Sequence, residues 1–541
     1  MPSNRSSEPK GRAGSSTAIP DALPHARSVV YGLVGTVAVC LMIAKIVGAE
    51  NVIEPSRFAP TTPDSYGAKR ADSPTRAWPS QRPEPNLFFS SNDRSRWATI
   101  RALVDDGTYV VGKRRNFRDT APPYEDTGII FENDYQSLDK VMNPATGEFY
   151  SSKPPLLATV LAGEYWVLKK LFGWSLVKDR WNVVCTILIT VNVIPFALML
   201  VYMARLIDQF GTTDFGRMFT FTATALGTFL MTFGHTLNNH SPAAYCTVFL
   251  IYPLLRVGST ESRGELWVSG FFAGLLATLE LPAAVLSVAL LLLMLYLRPV
   301  RTLCSYLPAM LLPVALLLIC NYAALGKLLP AYSDFGGPWY DYPGSHWKKW
   351  ELVKAGQFVP GLDFNQESTG TYAFHLSVGH HGWFSLTPVF LLALVGLSSQ
   401  TVRSGGDAVK LLGRAIGPDD KVLSLKLVGC LTMVASATVF AFYLSRTQSY
   451  NYGGNTSGPR WLFWLIPLWC LGLLPAADWL AHRRWGRALA YVCLGVSVLS
   501  AYYPAWNPWR SPWILQLAER AGWLSYELPP AKPALSVPAG N

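Results

Sequence analysis

Long apolar runs alternate with short polar segments along most of the chain. Several of the runs approach the roughly 20 residues that an α-helix needs to cross a bilayer. We therefore predict an α-helical, polytopic membrane protein with about eleven membrane-spanning helices. The runs are 29–48, 182–204, 217–234, 241–256, 266–281, 283–297, 303–323, 383–398, 427–445, 461–478 and 488–503.

The polar segments divide the chain into three predicted parts. Residues 1–28 are rich in Ser, Pro, Gly and Arg, which is typical of a disordered tail. Residues 29–503 form the membrane domain, and it contains two long polar loops at 49–181 and 326–382. Residues 504–541 form a C-terminal tail rich in Trp and Pro.

The apolar stretch Pro154–Phe172 decides the predicted orientation. If it does not cross and the N-terminus is cytoplasmic, the short basic loops face the cytoplasm; if it crosses, they face outward. Lys and Arg are enriched in cytoplasmic loops, which favours the first arrangement. We expect Pro154–Phe172 to lie in the outer interface, with both long loops and the C-terminus extracytoplasmic. The basic loops contain Arg205, Arg217, Arg256, Arg263, Arg298, Arg301, residues 403–426, Arg483, Arg484 and Arg487.

Composition agrees with a membrane protein and excludes other classes. Half of the residues are hydrophobic and 15% are charged, against about 25% charged in soluble domains. The basic loops account for the net charge of +11, so no nucleic-acid partner is indicated. All eight Cys lie in or beside apolar segments, which gives no sign of a disulfide framework. No nucleotide-binding glycine motif is present.

A short amphipathic helix is predicted in the first long loop, from about Asp93 to Gly107. Its apolar residues recur at helical spacing, and we expect it to lie on the outer membrane face. Ser91, Asn92 or Asp93 can cap the start of this helix, and the simplest interpretation of Asp93 is an N-cap. The functional alternative is a general base or a metal ligand that faces the acceptor. The apolar residues are Trp97, Ile100, Leu103 and Val104.

Lys153 precedes a Pro-Pro pair that is typical of a first helical turn. The free backbone N–H groups of a helix start, the positive end of its dipole and an ammonium group together form an anion site. At the outer interface the obvious anion is a lipid-linked phosphate. The alternative is a snorkelling Lys that anchors an interfacial helix.

Further polar residues lie beside the predicted spans. Asn239 and His240 are candidates to bind sugar hydroxyls, or they form an ordinary polar turn. Glu280 is a functional candidate because it is ionisable at membrane depth, unless it reaches water. Arg460 is a candidate phosphate ligand or a headgroup anchor, and Tyr450 is a candidate substrate contact in the same outer segment.

The second long loop is rich in aromatic residues, which suit either an interfacial belt or the lining of a sugar or polyprenyl site. His375, His380 and His381 suggest a metal site, but a clear third ligand is missing from the sequence pattern. We assign no metal ligand. A divalent cation is left open as a cofactor.

Three motifs in residues 90–245 together resemble the GT-C glycosyltransferase superfamily, in particular the lipid A aminoarabinose transferases and the protein O-mannosyltransferases. Residues 93–100 with 107–109 resemble the acidic motif of the first outer loop. Residues 150–157 resemble the Lys-Pro-Pro segment, and 171–180 its Leu-Phe-Gly…Arg continuation. Arg94 stands where the family has Glu, and Asn239-His240 stand near the place of an Asp-Pro pair.

The resemblance implies a GT-C fold and an inverting transfer of a sugar from a polyprenyl phosphate to an extracytoplasmic lipid, glycan or protein. It implies that Asp93 is the essential carboxylate, and that Lys153 and Arg180 lie near the donor phosphate. Two alternatives remain open at this point: a transporter or flippase for lipid-linked sugars, and an inactive scaffold that retains the fold.

Overall fold

The computed structural model describes residues 24–49, 87–119, 121–132, 134–256, 262–404, 425–447 and 451–529, and these are mostly helical. Most of the predicted disordered tail, the end of the C-terminal tail and Tyr450 lie outside the described residues. The longer helices are α1 Pro24–Gly48, α2 Ser91–Asp105, α3 Pro155–Phe172, α4 Arg180–Phe210, α5 Asp214–Leu226, α6 His240–Arg256, α7 Arg263–Leu279, α8 Leu281–Leu297, α9 Pro299–Leu325, α10 Thr369–Ser377, α11 Val389–Ser404, α12 Leu425–Leu444, α13 Arg460–Ala481, α14 Arg484–Tyr502 and α15 Trp513–Arg520.

A small antiparallel sheet lies between α2 and α3. Its strands are β1 Gly112–Arg114, β2 Asp126–Thr127, β3 Lys140–Met142 and β4 Glu148–Ser151, in the order β2-β1-β4-β3. The register pairs Lys140 with Ser151, the last residue of β4, and Lys153 follows two residues later. The sheet thereby fixes the point at which α3 begins.

Five helices of the described chain are long and apolar enough to cross a membrane: Ala26–Gly48 in α1, then α4, α9, α12 and α13. The apolar helices Leu281–Leu297 and Val389–Gln400 are shorter. The expected number of about eleven spans is therefore not confirmed. The apolar run predicted at 217–234, for example, breaks at Gly227, where α5 ends and a short helix Phe229–Thr232 follows.

Helix α13 is the most buried of the five candidate spans. Near its C-terminal end, the carboxylate of Asp478 accepts hydrogen bonds from the backbone N–H groups of Thr212 and Thr213, both at 2.9 Å. The Thr213 hydroxyl also donates to Asp478 at 2.7 Å and caps α5. These bonds fasten α13 to the start of α5, and the other end of α13 carries Arg460.

Helices α7 and α9 approach each other closely through two glycines. A Cβ atom at Gly270 or Gly274 would lie 2.1 Å from the carbonyl oxygen of Tyr306 or Met310, respectively. Small residues four positions apart let helix backbones pack at short distance. Any larger residue has to push α9 away from α7.

Gly274→Ala is therefore expected to destabilise the protein by about 1–3 kcal/mol, since the added methyl group overpacks the helix contact. The matched control is Gly163→Ala in α3, where a Cβ would meet no atom within 4 Å. There the higher helix propensity of Ala should raise stability by up to about 1 kcal/mol. Thermal unfolding of both variants in detergent measures the difference, and equal shifts of the same sign would contradict the close approach.

Candidate functional site

The N-cap of helix α2 lies one residue before the first of the predicted caps, Ser91. The Ser90 hydroxyl accepts the backbone N–H of Asp93 at 3.2 Å, so Ser90 is the N-cap and the interpretation of Asp93 as the cap is wrong. Asp93 instead uses its carboxylate to accept the N–H of Phe89 at 3.0 Å and that of Leu237 at 3.3 Å. The second bond ties α2 to the segment that leads into α6.

The polar face of α2 points into the protein. Asn92, Asp93, Ser95, Arg96 and Thr99 are all buried, together with Trp97 and Ile100. The expected amphipathic helix on a membrane surface would instead expose its polar face to water. The helix is internal because its polar side chains find partners in the loop before β3, on β4 and in the segment that leads into α6.

Asp93 is 1% exposed. Burial raises the pKa of its carboxyl to about 7, although the bonds from Phe89 and Leu237 and the charge of Arg96 act to lower it. A carboxyl group with this pKa changes between its neutral and ionised forms around neutral pH. It can therefore accept a proton more readily than an ordinary aspartate.

The partner of Lys153 is Asp139, not Asp93. The Lys153 ammonium lies 2.8 Å from the Asp139 carboxylate. Burial lowers the pKa of Lys153, while burial alone would raise that of Asp139. The charge and hydrogen bond of Lys153, together with the charges of Arg460 and Arg96, outweigh burial at Asp139, and the pKa of this carboxyl falls below its usual range.

Ser95 connects this pair to α2. Its hydroxyl donates to the backbone carbonyl of Asp139 at 2.6 Å and lies 2.6 Å from the hydroxyl of Ser151, which in turn accepts the backbone N–H of Lys153. The helix that carries Asp93 and the segment that carries Lys153 are therefore in direct contact.

A chain of polar contacts runs from α2 to α13. Arg96 donates to the Asn239 side-chain oxygen at 2.6 Å, and the Asn239 amide donates to Glu280 at 2.5 Å. Glu280 also contacts Nδ1 of His240. Nε2 of His240 lies 3.1 Å from a guanidinium nitrogen of Arg460, which can only donate. In a neutral ring Nδ1 then carries the proton and faces Glu280.

Lys153, Asn239 and Arg460 are partly exposed, whereas Arg96, His240 and Glu280 are buried. A ligand that approaches this cluster meets two cationic groups and one amide. Arg460 also donates two bonds to the Gly453 carbonyl, which fixes the plane of its guanidinium group. The accessible surface is thus suited to an anion such as a phosphate.

The structure places Arg180 with other partners. Its guanidinium lies 2.5 Å from the Asp134 carboxylate and over the rings of Phe88 and Tyr135, and it donates to the Leu176 carbonyl. Among the described residues, these contacts do not include Lys153 or Arg460. A role of Arg180 beside the donor phosphate stays a prediction from the resemblance.

The sequence pattern does not indicate that Asp139 or Arg96 belongs to the site. Asp139 stands in a loop before β3 without a helical or motif pattern around it. Arg96 belongs to the quoted motif, but its spacing from Asn239 carries no local signal because 143 positions separate them. Only the fold brings these charges beside Lys153.

No protein family model and no curated protein matches this chain. The structure is similar to that of ArnT from Cupriavidus metallidurans bound to undecaprenyl phosphate, with a TM-score of 0.39 and 13% identity over 87% of this chain and 63% of that chain. It is also similar to the archaeal oligosaccharyltransferase AglB from Archaeoglobus fulgidus, solved with an inhibitory peptide and a dolichol-phosphate. There the TM-score is 0.42, with 10% identity over 92% of this chain and 56% of that chain. This chain spans less than two thirds of the length of each solved chain. The ligands bound in those two structures belong to those proteins.

Proposed function

We propose that this protein is a membrane glycosyltransferase that moves a sugar from a polyprenyl phosphate to a lipid, glycan or protein acceptor on the extracytoplasmic side. The observation that carries the proposal is that two partly exposed cations, Lys153 and Arg460, act on one carboxylate, Asp139, beside α2 with its buried Asp93. Lys153 lies 2.8 Å from this carboxylate, and the charge of Arg460 also lowers its pKa. The motif resemblance to GT-C enzymes and the long apolar helices support it.

In the proposed reaction an acceptor oxygen attacks the anomeric carbon, and the bond from that carbon to the phosphate oxygen breaks. Polyprenyl phosphate leaves with the electron pair, and the configuration at carbon inverts. Lys153 and Arg460 stabilise the charge that grows on the phosphate. The acceptor proton passes to a carboxylate.

Two carboxylates compete for the role of base. Asp139 is held by Lys153, and its lowered pKa makes it a weak proton acceptor. The pKa of Asp93 is raised to about 7, which favours Asp93. Because Asp93 is covered in the described conformation, acceptor binding has to open its contact with Phe89 or with Leu237.

Asn239 and His240 are proposed to contact the sugar or to hold Arg460 in place, and Glu280 to orient both. The proposed topology puts the N-terminus in the cytoplasm and the site outside. Tyr450 remains a proposed substrate contact from the sequence alone.

The direct test is to incubate the purified full chain with a panel of polyprenyl-phosphate sugars and to follow both release of polyprenyl phosphate and labelling of acceptors. Sugar transfer that inverts the anomeric configuration supports the proposal. Movement of the intact sugar lipid between leaflets of proteoliposomes, without transfer, would instead indicate a flippase. Neither transfer nor movement with any donor would indicate an inactive scaffold.

The rate of transfer is expected to depend on pH through Asp93. The base works only when it is ionised, so below its pKa of about 7 the maximal rate should fall about tenfold for each pH unit. A rate profile between about pH 5 and about pH 8 measures this limb. A flat profile would show that the base is not a carboxyl group with a raised pKa.

A further inference from the structure

One carboxylate and two imidazoles meet in the second long loop, apart from the Lys153 site. A single potential ligand atom from each of Glu367, His375 and His380 lies within 4.8 Å of the other two. Nε2 of His375 is 4.0 Å from Oε1 of Glu367. Neighbouring ligand atoms around tetrahedral zinc are roughly 3.4 Å apart for bonds of about 2.05 Å. Side-chain shifts on the order of 1 Å would close the set.

The hydrogen bonds determine which nitrogen of His380 is free to bind a cation. The Thr456 carbonyl can only accept, so Nε2 of His381, at 3.1 Å, carries the proton of that ring. Nδ1 of His381 therefore accepts from Nδ1 of His380 at 2.5 Å. Nε2 of His380 therefore carries no proton and has a lone pair. The Tyr526 hydroxyl lies between this nitrogen and the Glu367 carboxylate.

The hydrogen bonds around Nε2 of His380 involve more acceptor atoms than donor protons. The Tyr526 hydroxyl lies 2.8 Å from Nε2 of His380 and 2.7 Å from Oε1 of Glu367, and it has one proton for these two acceptors. On His375, Nε2 is the nitrogen that faces Glu367, at 4.0 Å, whereas Nδ1 is buried with no hydrogen-bond partner among the described residues. A cation bound to Nε2 of His380, Nε2 of His375 and Oε1 of Glu367 would satisfy these acceptor atoms together.

Neighbouring residues hold two of the three proposed ligands, His380 and Glu367, in place. Ligating imidazoles usually donate their second N–H to a fixed acceptor. His380 donates its Nδ1–H to His381, and His381 is held in turn by its bond to the Thr456 carbonyl. The second oxygen of Glu367 accepts from Tyr452 and from Asn365. Glu367 and His375 are partly exposed, so an ion can enter from solvent.

We propose that Glu367, His375 and His380 form a zinc site. Two imidazoles and one carboxylate are a ligand set that zinc accepts, and they leave a fourth position for water or the Tyr526 hydroxyl. Mg²⁺ prefers an all-oxygen octahedral set, which these residues do not offer. The sequence lacked a clear third ligand beside the histidines; the fold supplies Glu367.

The site would fasten the segment that positions Arg460. Tyr452 adopts a left-handed backbone conformation with φ 54°, and its ring stacks between His381 and Tyr372. The next residue, Gly453, accepts the two bonds from Arg460. A metal that holds Glu367 and His380 thus holds the turn from Tyr452 to Arg460. The proposal does not depend on transferase activity.

The test uses the purified full chain in detergent, stripped with EDTA and then titrated with ZnCl₂ or MgCl₂, with bound metal measured by mass spectrometry. We expect about one zinc per chain and no magnesium. His375→Ala should weaken zinc binding by more than about 100-fold. His381→Phe removes no ligand but removes the bonds from His381 to His380 and to Thr456, and should weaken zinc binding by roughly 10- to 100-fold. Zinc should also slow hydrogen–deuterium exchange in residues 451–460 of the wild type.

The matched control is His346→Ala, because His346 lies in the same loop and its side chain is 16% exposed against 17% for His375. This variant should bind zinc as the wild type does. A wild type that takes up no zinc, or a folded His375→Ala that binds it equally well, would overturn the proposal. If His375→Ala fails to fold, the wild-type titration and exchange measurements decide alone.

Discussion

Asp93→Asn is expected to lower the rate of sugar transfer by about 10²- to 10⁴-fold, the usual contribution of a general base. The amide keeps the size of the carboxyl group but cannot take the acceptor proton at neutral pH. The low-pH limb of the rate profile should disappear in the residual activity, because the group that titrates is gone. A transfer assay with the active sugar donor measures both effects.

The same substitution has a structural cost that must be measured beside it. Asp93 accepts two backbone N–H groups with two oxygens, and an amide can accept only one of them properly. The free energy of unfolding should therefore fall by about 1–3 kcal/mol. Asp106→Asn, at the exposed C-cap of the same helix, is the matched control and should change neither rate nor stability. A folded Asp93→Asn variant with wild-type activity would refute the role of Asp93.

Lys153→Met is expected to have the second large effect, because it removes a phosphate ligand and leaves the Asp139 carboxylate without its main partner. Polyprenyl phosphate should bind roughly 10- to 100-fold more weakly, as expected for the loss of one charge-assisted hydrogen bond. Stability should fall by about 1–3 kcal/mol, because the Asp139 carboxylate, which is 11% exposed, loses its cationic partner. Binding is measured with the lipid phosphate in detergent, and stability by thermal or chemical unfolding.

The double variant Lys153→Met with Asp139→Asn separates the two effects. Neutralising Asp139 should restore most of the stability, but it should not restore binding of the lipid phosphate. If the double variant regains binding as well, Lys153 serves only to neutralise Asp139.

Lys169→Met provides the matched control for an ion pair of similar length. Lys169 lies 2.7 Å from Asp105, but its side chain is 40% exposed, against 23% for Lys153. An exposed pair contributes less than about 1 kcal/mol. Stability should therefore hardly change, and phosphate binding not at all.

The sequence predicted local elements well where the signal is local. A helix from about residue 93 to Gly107 is observed as Ser91–Asp105, and the apolar stretch after Lys153 forms α3, which starts at Pro155 and ends before Gly173. Helical spacing, proline at a first turn and glycine at an end act over a few residues, so they are visible in the chain itself.

Helical spacing and capping residues do not indicate which faces of these helices are buried. The polar face of α2 is internal because its partners come from the loop before β3, from β4 and from the segment that leads into α6. The number of about eleven spans stays a prediction, since an apolar run that is broken by a turn at Gly227 has the same composition as a continuous one.

By itself, the sequence determined that the protein is helical, rich in apolar runs, and marked by Asp93 and Lys153 at the starts of two helices. The tertiary structure alone decided the partners: Asp139 for Lys153, His240 for Arg460 across 220 positions, and Glu367 for two histidines. The physical reason is the difference in range between the interactions that form local elements and those that pair buried charges. Backbone propensity and hydrophobic periodicity are set by near neighbours, whereas a buried charge takes whichever partner the folded chain brings within a few ångströms.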